Sequence, residues 1–430
     1  MTSALFTDRY ELSMLCSVLD ARMADTPAVF EVFARRLPPG RRFGLLAGVE
    51  RVLDAVADFT FDDATLASLL GNGIVTPSGA DYLRDWRFSG DIDGYAEGDL
   101  YWPGSPVLTV RGPLAEGFLL ETVVLSIMNH DTAVASAAAR MVLAAAGRPL
   151  IEMGSRRVDP QAAVAAARAA WLAGFAATSN LAAGERYRIP TTGTAAHSFT
   201  LAHASEVDAF THQLRTHGTD TTLLVDTFDT PTGIRNAVAA ARAAGAAGPG
   251  AIRIDSGDLV SAARAARALL DDLGATRTRI VVTSDLDEWA IADLAGAPVD
   301  SYGVGSRVVT GSGHPSAGFV YKLVAVGEPL RPVEKTAEGK ASAGGVKTAY
   351  RTLDGDEHYG LDGSIPPGAF ALQRAYVRGG RRVSAPTHLP VAARDRAAVS
   401  LAGLDASSRD LADGTPNRRC TRKEQPCPAP

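Results

Sequence analysis

The stretch AIRIDSGDLVSAARAARALLDDLG, residues 251–274, opens with a short apolar run that ends in polar Asp255, Ser256 and Asp258. It continues with Leu259, Ala262, Ala263, Ala266, Leu269, Leu270 and Leu273 at helical spacing, while Arg264, Arg267 and Asp271 fall off that face. A strand, a polar turn and an amphipathic helix are therefore expected in succession, with the helix covering a sheet.

The same unit recurs on both sides. TLLVDTFD (222–229) precedes TPTGIRNAVAAARAAG, and RIVVTSD (279–285) precedes LDEWAIADLAG. Upstream, RPLIEMGSRR leads into QAAVAAARAAWLAG, and FAATSN and RYRIPTTGT read as further strands. Short, nearly continuous apolar runs suit parallel strands buried on both faces, and their spacing is that of a βαβ unit. The expected fold class is α/β, an irregular (β/α) barrel over residues 145–328.

The flanks differ in character. Residues 87–112 are rich in Gly, Pro and strand formers, GPLAEGFLLETVVLSIMNH reads as one long helix, and GGVKTAYRTLDGDEHYG and AYVRGGRRVSAPTHLP read as hairpins. These imply a second, α+β domain built from both chain ends, residues 1–144 and 329–398. The polar, Pro-containing remainder, 399–430, is expected to be a disordered tail.

Composition narrows the function. With 46% apolar and 21% charged residues and a net charge of −5, the 430-residue chain has no global basic field for nucleic acid, so a phosphate partner must be caught locally. Three cysteines, Cys16, Cys420 and Cys427, make no disulfide framework, and no segment reaches the roughly 20 apolar residues of a membrane helix. Asp8, Arg9 and Glu11 interrupt the N-terminus where a secretory signal would be apolar, so a reducing, cytoplasmic setting is expected.

In such a barrel, function gathers where strands end. Asp226 and Asp229, Arg253 with Asp255, Ser256 and Asp258, Ser284 with Asp285, and Gly303 through Ser306 all follow apolar runs. Helix capping accounts equally well for any single Asp or Ser here. It does not account for Arg253 inside an apolar strand, where a guanidinium needs a partner, and Asp255 lies two residues on, on the same side. Glycines at 303, 305, 311 and 313 let backbone N–H groups converge on an anion, with Ser306 as a hydroxyl donor, although a plain glycine turn needs no ligand. Arg156 and Arg157 follow another strand and offer a fork for a carboxylate or phosphate, unless they are merely solvated. TTGTAAHS (191–198) places His197 among residues too small to pack around it.

Taken together, TDRYELSML, FEVFARRLPPGRRFGLLAGVE, GSRR, TGTAAHSF, VDTFDTPTGIRNAV, IRIDSGDL, TSDLDEW and YGVGSRVVT resemble the nicotinate phosphoribosyltransferase family, in that family's order and over roughly residues 1–395. The resemblance implies a barrel of the type II phosphoribosyltransferase kind. It also implies condensation of nicotinate with 5-phosphoribosyl 1-diphosphate to nicotinate mononucleotide and diphosphate, with Mg2+ and with ATP hydrolysis coupled through a phosphohistidine, in NAD salvage. His197 would carry that phosphoryl group, which small neighbours such as Gly193, Thr194 and Ser198 would accommodate. Tyr10 would stack on the pyridine ring from a neighbouring subunit of a homodimer with shared sites. Arg253, Thr194 and Arg156 would hold nicotinate, and Asp255 and Asp285 the ribose hydroxyls or the metal's surroundings. Gly303, Gly305 and Ser306 would cradle the 5-phosphate. Arg35, Arg36 and Lys322, with Lys340 and Lys347 as further cations, would face the diphosphate. Met153 stands where the family has an aromatic residue, and Ser306 where a threonine is usual.

Rival readings remain at this point. A nicotinamide phosphoribosyltransferase would carry an acid near Thr178, Ser179 and Asn180, where none stands. A quinolinate-type, decarboxylating transferase would lack the histidine stretch. A non-catalytic nicotinate or phosphoribosyl diphosphate binding protein would have no need of His197, Asp255 and Arg253 together, and an aldolase would rest on Lys322 alone.

Overall fold

The computed structural model describes residues 3–335, 343–383, 389–412 and 414–423. The chain divides into two compact units, Ala137–Gly313 and a unit formed by Met1–Ser136 with His314–Pro430.

The central unit has six strands: β1 (Leu150–Glu152), β2 (Ala177–Thr178), β3 (Thr222–Leu224), β4 (Ala251–Ile254), β5 (Arg279–Val282) and β6 (Ser301–Val304). All pair in parallel, in the order β2-β1-β6-β5-β4-β3. Leu223, Leu224, Ile252, Ile254, Ile280, Val282, Tyr302 and Val304 are buried, as the continuous apolar runs require of strands covered on both faces. Three of the unit's longer helices start where the sequence supplies an aspartate cap. Asp159 accepts from Gln161 and Ala162 N–H ahead of Pro160–Ala173, Asp229 from Thr232 ahead of Thr230–Ala243, and Asp258 from Ser261 ahead of Leu259–Asp272. In the last of these helices Ala263, Ala266 and Leu270 are buried, the expected face. This is the curled parallel sheet of the irregular (β/α) barrel.

The unit built from both chain ends contains a seven-stranded antiparallel sheet in which Pro27–Ala34 lies between Phe319–Val326 and Leu108–Pro113. A four-stranded sheet holds Thr348–Arg351 and Glu357–Gly360 as a hairpin. Its core includes Leu12, Leu15, Val32, Phe59, Leu119 and Tyr321. Among the described residues no helix is long and apolar enough to cross a membrane.

Four expectations are corrected. The barrel unit is 137–313 and not 145–328, because the apolar strand Phe319–Val326 pairs antiparallel with Pro27–Ala34 in the other unit. RYRIPTTGT is not a strand: Arg186 and Tyr187 end the helix Leu181–Tyr187, Arg188 turns the chain at φ 53°, and only Thr191 makes a bridge, to Thr178. The segment 112–130 is divided between helices Leu114–Leu119 and Glu121–Ala145. Beyond 399 the chain is ordered where described. The helix Val391–Ala402 buries Ala393, Ala397 and Leu401, and Thr421–Arg422 pairs in parallel with His358 and Tyr359, so its polar composition is offset by backbone pairing. Residues 413 and 424–430, and with them Cys427, lie outside the described residues.

Candidate functional site

Three neighbouring strands supply the centre of the site. Arg253, on β4, has a side chain only 13% exposed and spends its guanidinium in four directions. Nε donates to Thr283 Oγ1 at 2.9 Å, Nη1 to Thr194 Oγ1 at 2.8 Å and to the Ala195 carbonyl at 3.2 Å, and Nη2 to Asp255 Oδ1 at 3.3 Å. Burying a guanidinium is costly unless its donors are met, and here Nε, Nη1 and Nη2 all are. Thr283 in turn donates to Asp255 Oδ1.

Asp226, just past β3, has a side chain 1% exposed and is the second hub. Its Oδ2 accepts from Asp255 N–H at 2.8 Å and from Ser256 Oγ at 2.7 Å, and its Oδ1 lies 3.3 Å from His197 Nε2. His197 opens the short helix His197–Leu201 with its side chain 39% exposed, and Ser198 beside it is exposed. A Cβ on Gly193 would meet nothing within 4 Å. The imidazole is thus held at one edge by a carboxylate and left open at the other.

A cavity of about 200 Å3 at the strand ends is lined by Met153, Arg156, Arg157, Arg253, Asp255, Thr283, Ser284, Asp285, Gly303, Gly305 and Ser306. Gly303 is needed there, since an added Cβ would lie 2.6 Å from Thr283 Cγ2 and 2.8 Å from Met153 Sδ. Ser284 holds φ 123°, a region that favours glycine, and the chain turns there between Thr283 and Asp285. Arg156 makes no ion pair among the described residues, which leaves its fork available to an anion. Behind the cavity Glu152, 1% exposed, accepts from Thr178 Oγ1 at 2.5 Å and from Gly154 N–H. Burial pushes its carboxyl above the usual glutamate range, against the lowering by those two hydrogen bonds.

The structure thus brings together Arg156, Arg253, Asp255, Asp285, Gly303, Gly305 and Ser306 around one cavity, with Thr194 bonded to Arg253 and His197 reached through Asp226. Asp229 and Asp258 are caps, as the alternative reading had it. The other expected residues belong to the unit built from the chain ends. There Arg35 and Arg36 line a hollow of about 810 Å3 with His314 and Ser316. Tyr10, on the helix Arg9–Asp20, is 43% exposed, and burial together with the charge of Glu121 pushes its phenol up to about 12. Lys322 stands in the antiparallel sheet, 3.9 Å from Glu121, so it is no barrel-strand amine of an aldolase. Lys347 is buried against Glu31 at 2.5 Å, which ties its charge to a carboxylate and not to a ligand. Lys340 lies outside the described residues.

In the sequence Asp226 stands at the mouth with no role assigned to it, and neither Thr283 nor Glu152 is marked as functional. All three sit at strand ends, Thr283 one residue before the Ser284–Asp285 pair, and that position was the available signal. Among the described residues no three His, Cys, Asp or Glu side chains form a metal-binding group. Asp255 and Asp285 on one cavity offer the hard oxygen donors that suit Mg2+ when a substrate's phosphates and water complete its shell.

Residues 5–129 match the family described as nicotinate phosphoribosyltransferase (NAPRTase) N-terminal domain. The chain is 55% identical to nicotinate phosphoribosyltransferase pncB1 of Mycobacterium tuberculosis, over 96% of this chain and 94% of that one. It is 36% identical to the Bacillus subtilis nicotinate phosphoribosyltransferase, over 83% and 74% of the two chains. The crystal structure of human nicotinic acid phosphoribosyltransferase superposes with a TM-score of 0.81 at 28% identity, covering 97% of this chain and 98% of the human one. A nicotinate-nucleotide pyrophosphorylase from Pyrococcus furiosus shares the fold, with a TM-score of 0.77 at 23% identity over 92% and 94% of the chains.

Proposed function

The chain belongs to the nicotinate phosphoribosyltransferase family, and from that premise we propose that it condenses nicotinate with 5-phosphoribosyl 1-diphosphate, forming nicotinate mononucleotide and diphosphate for NAD biosynthesis. ATP hydrolysis is coupled to the reaction through a phosphorylated His197, and the enzyme works in the cytoplasm as a homodimer with shared sites. The observation that carries this reading is the pair of hubs: Arg253 gathers Thr194, Thr283 and Asp255, and Asp226 links Asp255 to His197.

The pyridine nitrogen is already a nucleophile, so no general base is needed. The protein's task is to hold the ring in line with the anomeric carbon and to favour the charge that develops there. Arg253 and Thr194 lie against nicotinate, with Arg156 as a fork for its carboxylate. Tyr10 of a neighbouring subunit stacks on the ring. Asp255 and Asp285 face the ribose hydroxyls, and their negative charge favours an oxocarbenium-like sugar. Gly303, Gly305 and Ser306 receive the 5-phosphate, while Arg35, Arg36 and Lys322 serve the departing diphosphate. Mg2+, when bound, neutralises phosphate charge, and Asp255 and Asp285 are the residues here that would hold it or its waters. Phosphorylation adds close to two negative charges at His197, beside Asp226, and so alters the site between a substrate-binding and a product-releasing state.

Mononucleotide formation from nicotinate and from nicotinamide, with ATP present and omitted, tests the reading. Nicotinate is expected to be used in strong preference, with ATP stimulating the rate, and His197→Ala is expected to retain a weak, ATP-independent activity. Preference for nicotinamide, or full ATP stimulation in the alanine variant, would overturn it.

A further inference from the structure

We propose that Thr283 is a positioning residue for this reaction: its hydroxyl sets the separation and orientation of Arg253 and Asp255, so that one faces nicotinate and the other the ribose. The inference rests on the function proposed above. The Thr283 Oγ1 accepts from Arg253 Nε at 2.9 Å and donates its own proton to Asp255 Oδ1, so the direction of the O–H bond is fixed by its two neighbours. The residue is 3% exposed, and its N–H donates to the Ile254 carbonyl at 2.9 Å, which anchors its backbone to the strand bearing Arg253. Its methyl group fills the space beside Gly303, where an added Cβ would come within 2.6 Å of Cγ2. Methyl and hydroxyl therefore cannot exchange places. Arg253 Nη2 and Asp255 Oδ1 are 3.3 Å apart, longer than a good charge-assisted bond. Without the wedge of the hydroxyl the two charged groups would close on each other and withdraw from substrates.

The test uses the full-length enzyme with Thr283→Val, which keeps the shape and removes the hydroxyl, and Thr283→Ser, which keeps the hydroxyl. Steady-state constants for nicotinate and 5-phosphoribosyl 1-diphosphate are measured alongside thermal melting. The valine variant is expected to raise KM for both substrates about tenfold, the scale of one charge-assisted hydrogen bond, and serine to restore both to within about twofold. Wild-type KM values in the valine variant, with or without a lowered melting temperature, would overturn the positioning role alone. A wild-type enzyme that forms no mononucleotide from nicotinate would overturn the functional reading and this inference with it.

Discussion

Arg253 Nη1 donates to Thr194 Oγ1 at 2.8 Å, across 59 residues of chain. That bond joins the histidine-bearing loop to the end of a parallel strand, and Nε and Nη2 of the same guanidinium reach Thr283 and Asp255. A planar fork with separate donors at fixed angles lets one side chain reach these three partners in different directions at once.

Lysine at this position keeps the charge but loses the fork. Arg253→Lys is expected to raise KM for nicotinate at least tenfold and to relax discrimination against nicotinamide, because hydrogen bonds to charged groups contribute about 1.5–3 kcal/mol each. Steady-state assays with both pyridines check this, and an unaltered preference for nicotinate would count against the role of Arg253.

Asp226 accepts at both carboxylate oxygens and lies 3.3 Å from His197 Nε2. Asparagine has the same shape but only one acceptor oxygen, so it cannot accept from His197 on one side and from Asp255 N–H and Ser256 on the other. Asp226→Asn should therefore lower the ratio of rates with and without ATP, by about tenfold on the scale of one charged hydrogen bond. An unchanged ratio would mean that the carboxylate does not act through the histidine.

Arg140 and Glu288 form a buried pair at 2.9 Å, with side chains 3% and 1% exposed, and Glu288 also takes Ser312 Oγ at 2.5 Å near the end of the glycine-rich segment. Arg140→Met leaves a buried carboxylate without its cation and is expected to cost about 3–5 kcal/mol. The double variant with Glu288→Gln should recover part of that loss, since no uncompensated charge then remains. Thermal or denaturant unfolding measures both.

Glu152 supplies a pH dependence whose sign follows from its surroundings. Burial raises its carboxyl above the ordinary glutamate range, so the folded state holds the proton more firmly than the unfolded chain does. Its contribution to stability is full at pH below the ordinary glutamate range and is lost as pH rises through the raised folded value. Glu152→Gln cannot titrate, so its melting temperature relative to wild type should improve from acidic to neutral pH. Parallel pH profiles for the two proteins would refute this.

The strand and helix alternation between 148 and 309 was legible because its signals are local. Apolar runs, helical spacing in 259–273 and the caps Asp159, Asp229 and Asp258 each act within a few residues. FVYKLVAV fell within the expected barrel bounds of 145–328, and its true sheet was not legible. An apolar run with either destination looks alike, and only pairing with Pro27–Ala34, some 290 residues earlier by number, places it. The strand Thr421–Arg422 was missed for a related reason, since its order comes from hydrogen bonds to His358 and Tyr359 and not from its own polar side chains.

By itself the sequence determined that there would be a parallel barrel, and that Arg253, Asp255, Asp285, Gly303 and Gly305 would stand at strand ends facing one mouth, since side-chain alternation and turn position are properties of short stretches. Only the tertiary structure decided which of those residues bond to one another. Asp226 could have been a cap like Asp229, and Thr283 one more buried threonine, until the register of β3, β4 and β5 set them beside His197, Asp255 and Arg253. A hydrogen bond depends on separations of tenths of an ångström, and those are fixed by the packing of strands distant in the chain, which no local pattern encodes.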